Sequence, residues 1–388
     1  MVVVGLLALV GFFLGIYLIL KTKNIDIWIV SYIKASFKKT TVTDGPIHIM
    51  FCFVDHYEPQ WAIKDDIATE RTRVDRWVTD YPKLCAAHFD ADGKHPQHSF
   101  FYPEEEYRAE HLTKLADLCK NGYGEVEIHL HHDNDTPDNL RNTLSGFASI
   151  LQERHGLLST CPETNQPAYA FIHGNWCLCN ARKDGRWCGI NEELGILKKT
   201  GCYADFTLPA APNESQTAKI NSIYYAKDIP GKPKAHNDGI DVAVGGKPSG
   251  DLMIIQGPLT LNWKKRKFGI MPRIEASDMR RETPPTRERV DLWVNANIHV
   301  SGRPEWLFVK IHTHGTQEQD MDTLLGQPVD EMFSYLEAKY NDGQRYVLHY
   351  VTAREVFNII KAAEAGLEGN PNAYRDYILK PPHYLVKH

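Results

Sequence analysis

The chain has 388 residues, 43% of them hydrophobic and 24% charged, a balance that belongs to a globular protein and excludes a disordered one. Its formal net charge of -5 leaves no basic field to gather nucleic acid, so no nucleic-acid partner is expected. This length holds one large α/β domain or two ordinary ones.

Residues 2–20 carry no charge and are rich in Val, Leu, Ile and Phe. A helix needs about 20 apolar residues to cross a bilayer core, so residues 1–22 are predicted to be a single-pass transmembrane anchor. No basic stretch precedes the run and no small-residue cleavage site follows it, which argues against a cleaved signal peptide. Lys21, Lys23, Lys34, Lys38 and Lys39 all follow the span. The positive-inside rule then favours the cytoplasmic face for the rest of the chain, with a periplasmic or extracellular placement as the alternative. Residues 23–45 read as an interfacial segment and linker, with Trp28 and Tyr32 at headgroup level. The eight cysteines lack disulfide-framework spacing, as suits a reducing compartment. Cys177, Cys179 and Cys188 are read as buried thiols in preference to a zinc knot.

Residues 47–54 form a strand-length run that is apolar apart from His48, as a strand buried on both faces of a parallel sheet requires. It ends at Asp55-His56, before the turn-prone Tyr57-Glu58-Pro59. Apolar residues at helical spacing predict a helix over 68–85, a strand over 98–102 and a helix over 105–120. The turn 121–124 then leads into a strand bearing His129, His131 and His132, followed by Asp133 and Asp135. Pro137 suits the first turn of the next helix. A strand over 168–172 runs into His173, Gly174, Asn175 and Trp176, and a helix over 191–199 stops at Gly201. Residues 213–304 alternate short apolar pieces with Gly and Pro and read as an insertion covering one side of the core. The strand 305–311 ends at His312 and His314. Helix, strand and helix over 322–340, 346–350 and 353–365 close the chain. Strands alternating with helices in this order predict βαβ units and a parallel sheet.

Chemistry in such sheets gathers at the carboxyl ends of the strands. The histidines and aspartates there form the ligand set of zinc or a similar borderline divalent ion, with cobalt, manganese or nickel as alternatives. His129 and His131 turn the same way along a strand and His132 the opposite way. Asn175 and Trp176 follow the strand over 168–172, and a buried core role suits Trp176 as well as an exposed one.

The order of motifs over about residues 46–365 resembles the polysaccharide deacetylase family, the NodB-type carbohydrate esterases. Ser99-Phe100-Phe101, then Glu127-Ile128-His129-Leu130-His131, then Val309-Lys310-Ile311-His312-Thr313-His314 carry the resemblance. It implies a (β/α)-barrel-like α/β fold, an incomplete seven-stranded parallel barrel of the polysaccharide deacetylase or glycoside hydrolase type, filling a catalytic domain over 46–388. It places His131 on the first metal histidine and a histidine of the 312–314 pair on the general acid. The chain departs from the pattern at His56, which stands where the family has a second aspartate. Asp135 replaces the second metal histidine, and His173-Gly174-Asn175-Trp176 replaces an Arg-Pro-Tyr motif.

The expectation is therefore a metal-dependent hydrolase that removes an acyl group, N-acetyl above all, from a glycan or lipid-linked glycan precursor at the membrane. His56, His131 and Asp135 are the expected ligands of one divalent ion, with His129 and His132 as second choices. Asp55 is the expected base, His314 or His312 the expected acid, and His173, Asn175 and Trp176 the expected substrate contacts. A metal-dependent glycoside hydrolase, with Glu58 and Asp133 or Asp205 as its carboxylate pair, and a non-catalytic membrane-surface scaffold are the alternatives.

Overall fold

The computed structural model describes residue 11 and residues 14–37, 45–63 and 66–385. Its centre is β1 (Ile47–His56), buried along its whole length. Aliphatic and aromatic side chains point to both faces of this strand, so both faces must be covered by other elements. Around it lie β2 (His98–Pro103), β3 (Gly124–Leu130), β4 (Pro167–His173), β5 (Cys202–Asp205), β6 (Ile223–Ala226), β7 (Leu252–Ile255), β8 (Trp306–Thr313) and β9 (Tyr346–Val351). The order β8-β1-β2-β3-β4-β5-β7 is parallel throughout. β9 pairs in parallel with the first half of β1, and β6 adds an antiparallel strand beyond β7. The molecule is thus a mixed α/β structure on a largely parallel sheet.

The helices are α1 (Ile29–Phe37), α2 (Ile67–Cys85), α3 (Ala109–Lys120), α4 (Pro137–Ile150), α5 (Glu193–Lys199), α6 (Arg287–Asn295), α7 (Glu318–Leu324), α8 (Gln327–Tyr340) and α9 (Ala353–Glu364). Pro137 opens α4 behind a Thr136 cap that accepts from Asn139 N, so the first-turn proline falls where its missing N–H costs nothing. Ile49, Phe51 and Phe53 of β1 pack with Trp77 and Tyr81 of α2, Leu112 and Leu115 of α3 and Phe147 of α4. Met50, Cys52 and Val54, on the opposite face, join Val356, Ile359 and Ile360 of α9. A Thr352–Glu355 capping box starts α9. Its Arg354 pairs with Glu125, Ala353 N donates to Ser99 Oγ, and Phe357 lies against Tyr203. Each partner is the second residue of its strand, so α9 covers the amino ends of the sheet and leaves the carboxyl ends free.

The 213–304 segment is more than a cover. Its β7 enters the sheet beside β5, with Ala204 opposite Met253. Buried Lys310 of β8 donates to the carbonyls of Phe206, at 2.5 Å, and Leu208, tying β8 to the chain beyond β5. Only the hairpin Thr260–Lys267/Met271–Glu275 stands apart as a two-stranded sheet. Ile25 and Trp28 pack under its base against Leu259, Leu261 and Ala276. Trp28 is therefore a core residue, fully buried, and not the headgroup-level aromatic expected from the sequence. Most of the predicted anchor at residues 1–22 lies outside the described residues. Residues 14–22 are helical, and among the described residues no helix is long and apolar enough to cross a membrane.

Candidate metal centre

Four parallel strands deliver the chemical groups to one end of the sheet. β1 ends at Asp55-His56, β3 runs into His131 and His132, β4 ends at His173, and β8 runs into His314. Register brings them together: Asp55 lies opposite Thr313, and Leu130 opposite His173. Beyond β1 the chain turns, and Glu58 comes back over the strand ends, 2% exposed.

Glu58 is the hub. Its Oε1 lies 3.1 Å from His129 Nε2 and 3.3 Å from His131 Nε2, while Oε2 is buried without a hydrogen-bond partner. Both imidazoles have their other nitrogen committed. His129 Nδ1 is 2.7 Å from the Ile172 carbonyl, and His131 Nδ1 is 2.5 Å from Glu105 Oε1. An Nδ1–H held by an acceptor turns Nε2 toward Glu58, where it donates a hydrogen bond when the ring is protonated and offers a lone pair to a metal when it is not, the orientation that metal-binding histidines share. Two atoms bound at about 2.0–2.2 Å to one tetrahedral ion lie about 3.3 Å apart, close to the separations seen here. Ligand atoms of His56, Glu58 and His314 also lie within 4.8 Å of one another, so Glu58 belongs to two such groups. The rings of His56 and His314 stack at 4.6 Å.

Electrostatics follow from this crowding. Burial works to raise the Glu58 carboxyl, but hydrogen bonds from His129 and His131 carry it well below the usual carboxylate range. Burial works to lower His131, and the Glu105 and Glu58 carboxylates overcome it, taking that ring up to about 10. His56 is held far down by burial and by His314 and His129. Negative charge at Glu58 facing several imidazoles is a cradle suited to a cation.

The walls are aromatic. Trp176 lies 6.2 Å from His56 and 6.1 Å from His314, and half-exposed Trp61 lies 6.2 Å from His314. Asn175 and Trp176 both adopt positive φ, 55° and 57°, a strained backbone for side-chain-bearing residues that clusters at functional sites. A cavity of about 920 Å³ runs past Trp176, His312, Asp278 and Arg280.

A second group sits beside the first. Glu193 Oε1 lies 3.2 Å from His132 Nε2 and 3.4 Å from His173 Nε2. A third, Asp90, Asp92 and His349, already holds Arg375 as its counter-charge.

Several sequence assignments change here. Asp135 is no partner of His56 and His131: its Oδ2 meets His132 Nδ1 at 2.9 Å, and its Oδ1 accepts from Thr136 N and Asn139. Positive φ at Asn134 turns the chain away from His131. Asp55 is fully buried, accepting from Gly315 N at 2.6 Å and paired with His98 Nε2 at 2.9 Å, which makes it a brace for the 314–315 turn and not a base facing substrate. His312 lies opposite Asp278 in the strand register and stands outside the Glu58 groups. His173 is fully buried, so the expected substrate contact is lost. Asp205, the carboxylate of the glycosidase alternative, is fully buried and bonded to Thr207. Glu58 was not expected as a ligand, because the strand ends at His56 and the turn that follows brings its carboxylate back over the strand ends. Glu105, Glu193 and Trp61 carried no signal in the sequence either.

The brace predicts a measurable cost. A Cβ on Gly315 would overlap the Asp55 carboxylate and come within 2.7 Å of the Trp77 ring. Gly315→Ala should destabilise the protein by about 1–3 kcal/mol, the usual cost of overpacking, seen as a lower Tm; an unchanged Tm would remove the brace.

No family model matches the chain, and no curated protein matches it.

Proposed function

We propose that the chain is a metal-dependent hydrolase that removes an acyl group, N-acetyl in the first instance, from a glycan at a membrane surface. One observation carries this reading: two imidazoles, each oriented from behind through Nδ1, converge with Nε2 on one buried carboxylate. Glu58, His129 and His131 would hold a divalent ion, zinc by the chemistry of an N/O donor set. When bound, such an ion would supply Lewis acidity, able to polarise the acyl carbonyl and lower the pKa of a water. His314, stacked on His56, is placed to take a proton from that water and return it to the leaving amine, a task suited to imidazole near neutral pH. Gly315 N and Asp55 hold the turn that carries it. Trp61 and Trp176 offer faces on which a sugar ring can stack.

Two further features support this reading. Seven neighbouring parallel strands, with β8 tied through Lys310 to the chain beyond β5, suit the open barrel of the deacetylase type. Trp263, Phe268 and Ile270 are exposed on the hairpin, interleaved with Lys264, Lys265, Arg266 and Lys267. Basic residues and aromatics together favour an anionic membrane surface, and the 2–20 run and its following lysines favour an anchor with the catalytic region on the cytoplasmic side.

The test is acetate release from N-acetylglucosamine oligomers by the full chain in detergent, before and after chelation. Acetate that appears, stops on chelation and returns with zinc is the expected result. Full activity in metal-free protein would overturn the metal reading. New reducing ends without acetate would turn the assignment to a glycoside hydrolase.

A further inference from the structure

The group at His132 is built as carefully as the one at Glu58, and the reaction above leaves it unused. His132 follows β3 with its ring turned away from His129 and His131. His173 closes β4, and Glu193 opens α5. We propose that His132, His173 and Glu193 hold a second divalent cation of the zinc class, distinct from the ion of the Glu58 group.

Orientation is the first support. His132 Nδ1 faces Asp135 Oδ2 at 2.9 Å, and His173 Nδ1 faces the Gly174 carbonyl at 2.5 Å. With Nδ1 donating in both rings, neutral imidazoles turn two Nε2 lone pairs toward the same oxygen, Glu193 Oε1, at 3.2 and 3.4 Å. Lone pairs crowded against a carboxylate oxygen repel unless a cation lies among them. These separations again fit the edge of about 3.3 Å that two ligands span on one tetrahedral zinc. Asp135 and the Gly174 carbonyl are the outer partners that such ligands require.

Unsatisfied polarity is the second support. His173 is fully buried, and its Nε2 has no hydrogen-bond partner. Buried polar atoms are satisfied in nearly all proteins, so an orphan nitrogen aimed at a carboxylate marks a place that an ion would satisfy. The carboxylate itself is pinned, because its Oε2 accepts from Cys179 N at 2.7 Å. Gly189 leaves no room above the His132 ring, where a Cβ would stand 2.9 Å from Nε2. The loop thus presses the imidazole into place.

Position suggests what the ion does. It would join the ends of β3 and β4 to α5. A Cβ on Gly174 would fall 2.6 Å from His131 Cγ, so the turn after His173 is what backs the His131 ring. A cation here would hold the frame against which a ligand of the first ion rests, without touching substrate.

Elemental analysis of the full chain, purified in detergent and equilibrated with zinc, tests this. About two ions per chain are expected in the parent protein, and about one in His173→Ala and in Glu193→Gln, with circular dichroism confirming that each folds. Glu58→Gln should also keep about one. If cobalt replaces zinc, His173→Ala should remove only part of the visible absorption. A single ion in the parent protein, retained in both His173→Ala and Glu193→Gln, would overturn the proposal, with His132 then bridging Asp135 and Glu193 as an imidazolium. Two ions that both survive Glu58→Gln would instead overturn the Glu58 site, so the two failures are distinguishable.

Discussion

Glu58→Gln should release the ion of the proposed hydrolytic centre and abolish turnover while leaving the fold in place. The amide has the shape of the carboxylate but not its charge, and one of its two arms becomes a donor. Facing two imidazoles that present Nε2 at 3.1 and 3.3 Å, it cannot complete an N/O ligand set. Loss of an outer partner alone typically costs about 10–100-fold in metal affinity or activity, and loss of the shared ligand should exceed that. The metal-free proteins should also differ in acid. Glu58 is depressed from its ordinary 4.5, so its ionised form contributes stability above that value, and the contribution is lost as pH falls toward the folded pKa. Thermal melts of the metal-free parent should therefore fall more steeply below about pH 4.5 than those of Glu58→Gln. Parallel melting curves, or a variant that keeps its ion and its turnover, would sink the assignment of Glu58 as hub.

The parts of this centre that were legible in the sequence share a physical cause. An apolar run such as 47–54 can only be a strand covered on both faces, so the sheet, its direction and the address of the chemistry at Asp55-His56, His129–His132 and His312–His314 follow from hydrophobicity and the parallel-sheet rule. What was hidden depended on turns. Asp135 stands at a ligand-like spacing from His131, yet one residue at positive φ, Asn134, hands it to His132. Glu58 lies in a turn whose return path no periodicity announces. Asp55 reads as a base by position, but Gly315, far along the chain, supplies the amide that occupies it. β7 spans only Leu252–Ile255 among Gly and Pro, too short to outweigh its flanks. Trp28 was misplaced because its partners on the hairpin are remote in sequence. Long-range polar pairing, more than secondary structure, marks the limit of the sequence.

His314 separates proton transfer from metal binding. Its ring stacks on His56 at 4.6 Å and is flanked by Trp61 and Trp176, and its ligand atom lies near Glu58. The closest contacts in the cluster, however, are those between Glu58 and the pair His129 and His131. His314→Gln should therefore keep the ion and lose about 10²–10⁴-fold in kcat, the usual contribution of a positioned acid or base. His312→Gln should behave differently. That side chain stands outside the Glu58 groups and lines the cavity with Trp176, Asp278 and Arg280, so its loss should fall on KM with kcat changed only a few-fold. Metal content and the kcat/KM split of the two variants, measured side by side, decide the roles. If His314→Gln sheds the ion, His314 is a ligand and the proton carrier must be sought elsewhere. If His312→Gln is the variant that stops turnover with the ion in place, the two histidines exchange roles and the chemistry moves to the Asp278 side of the cavity.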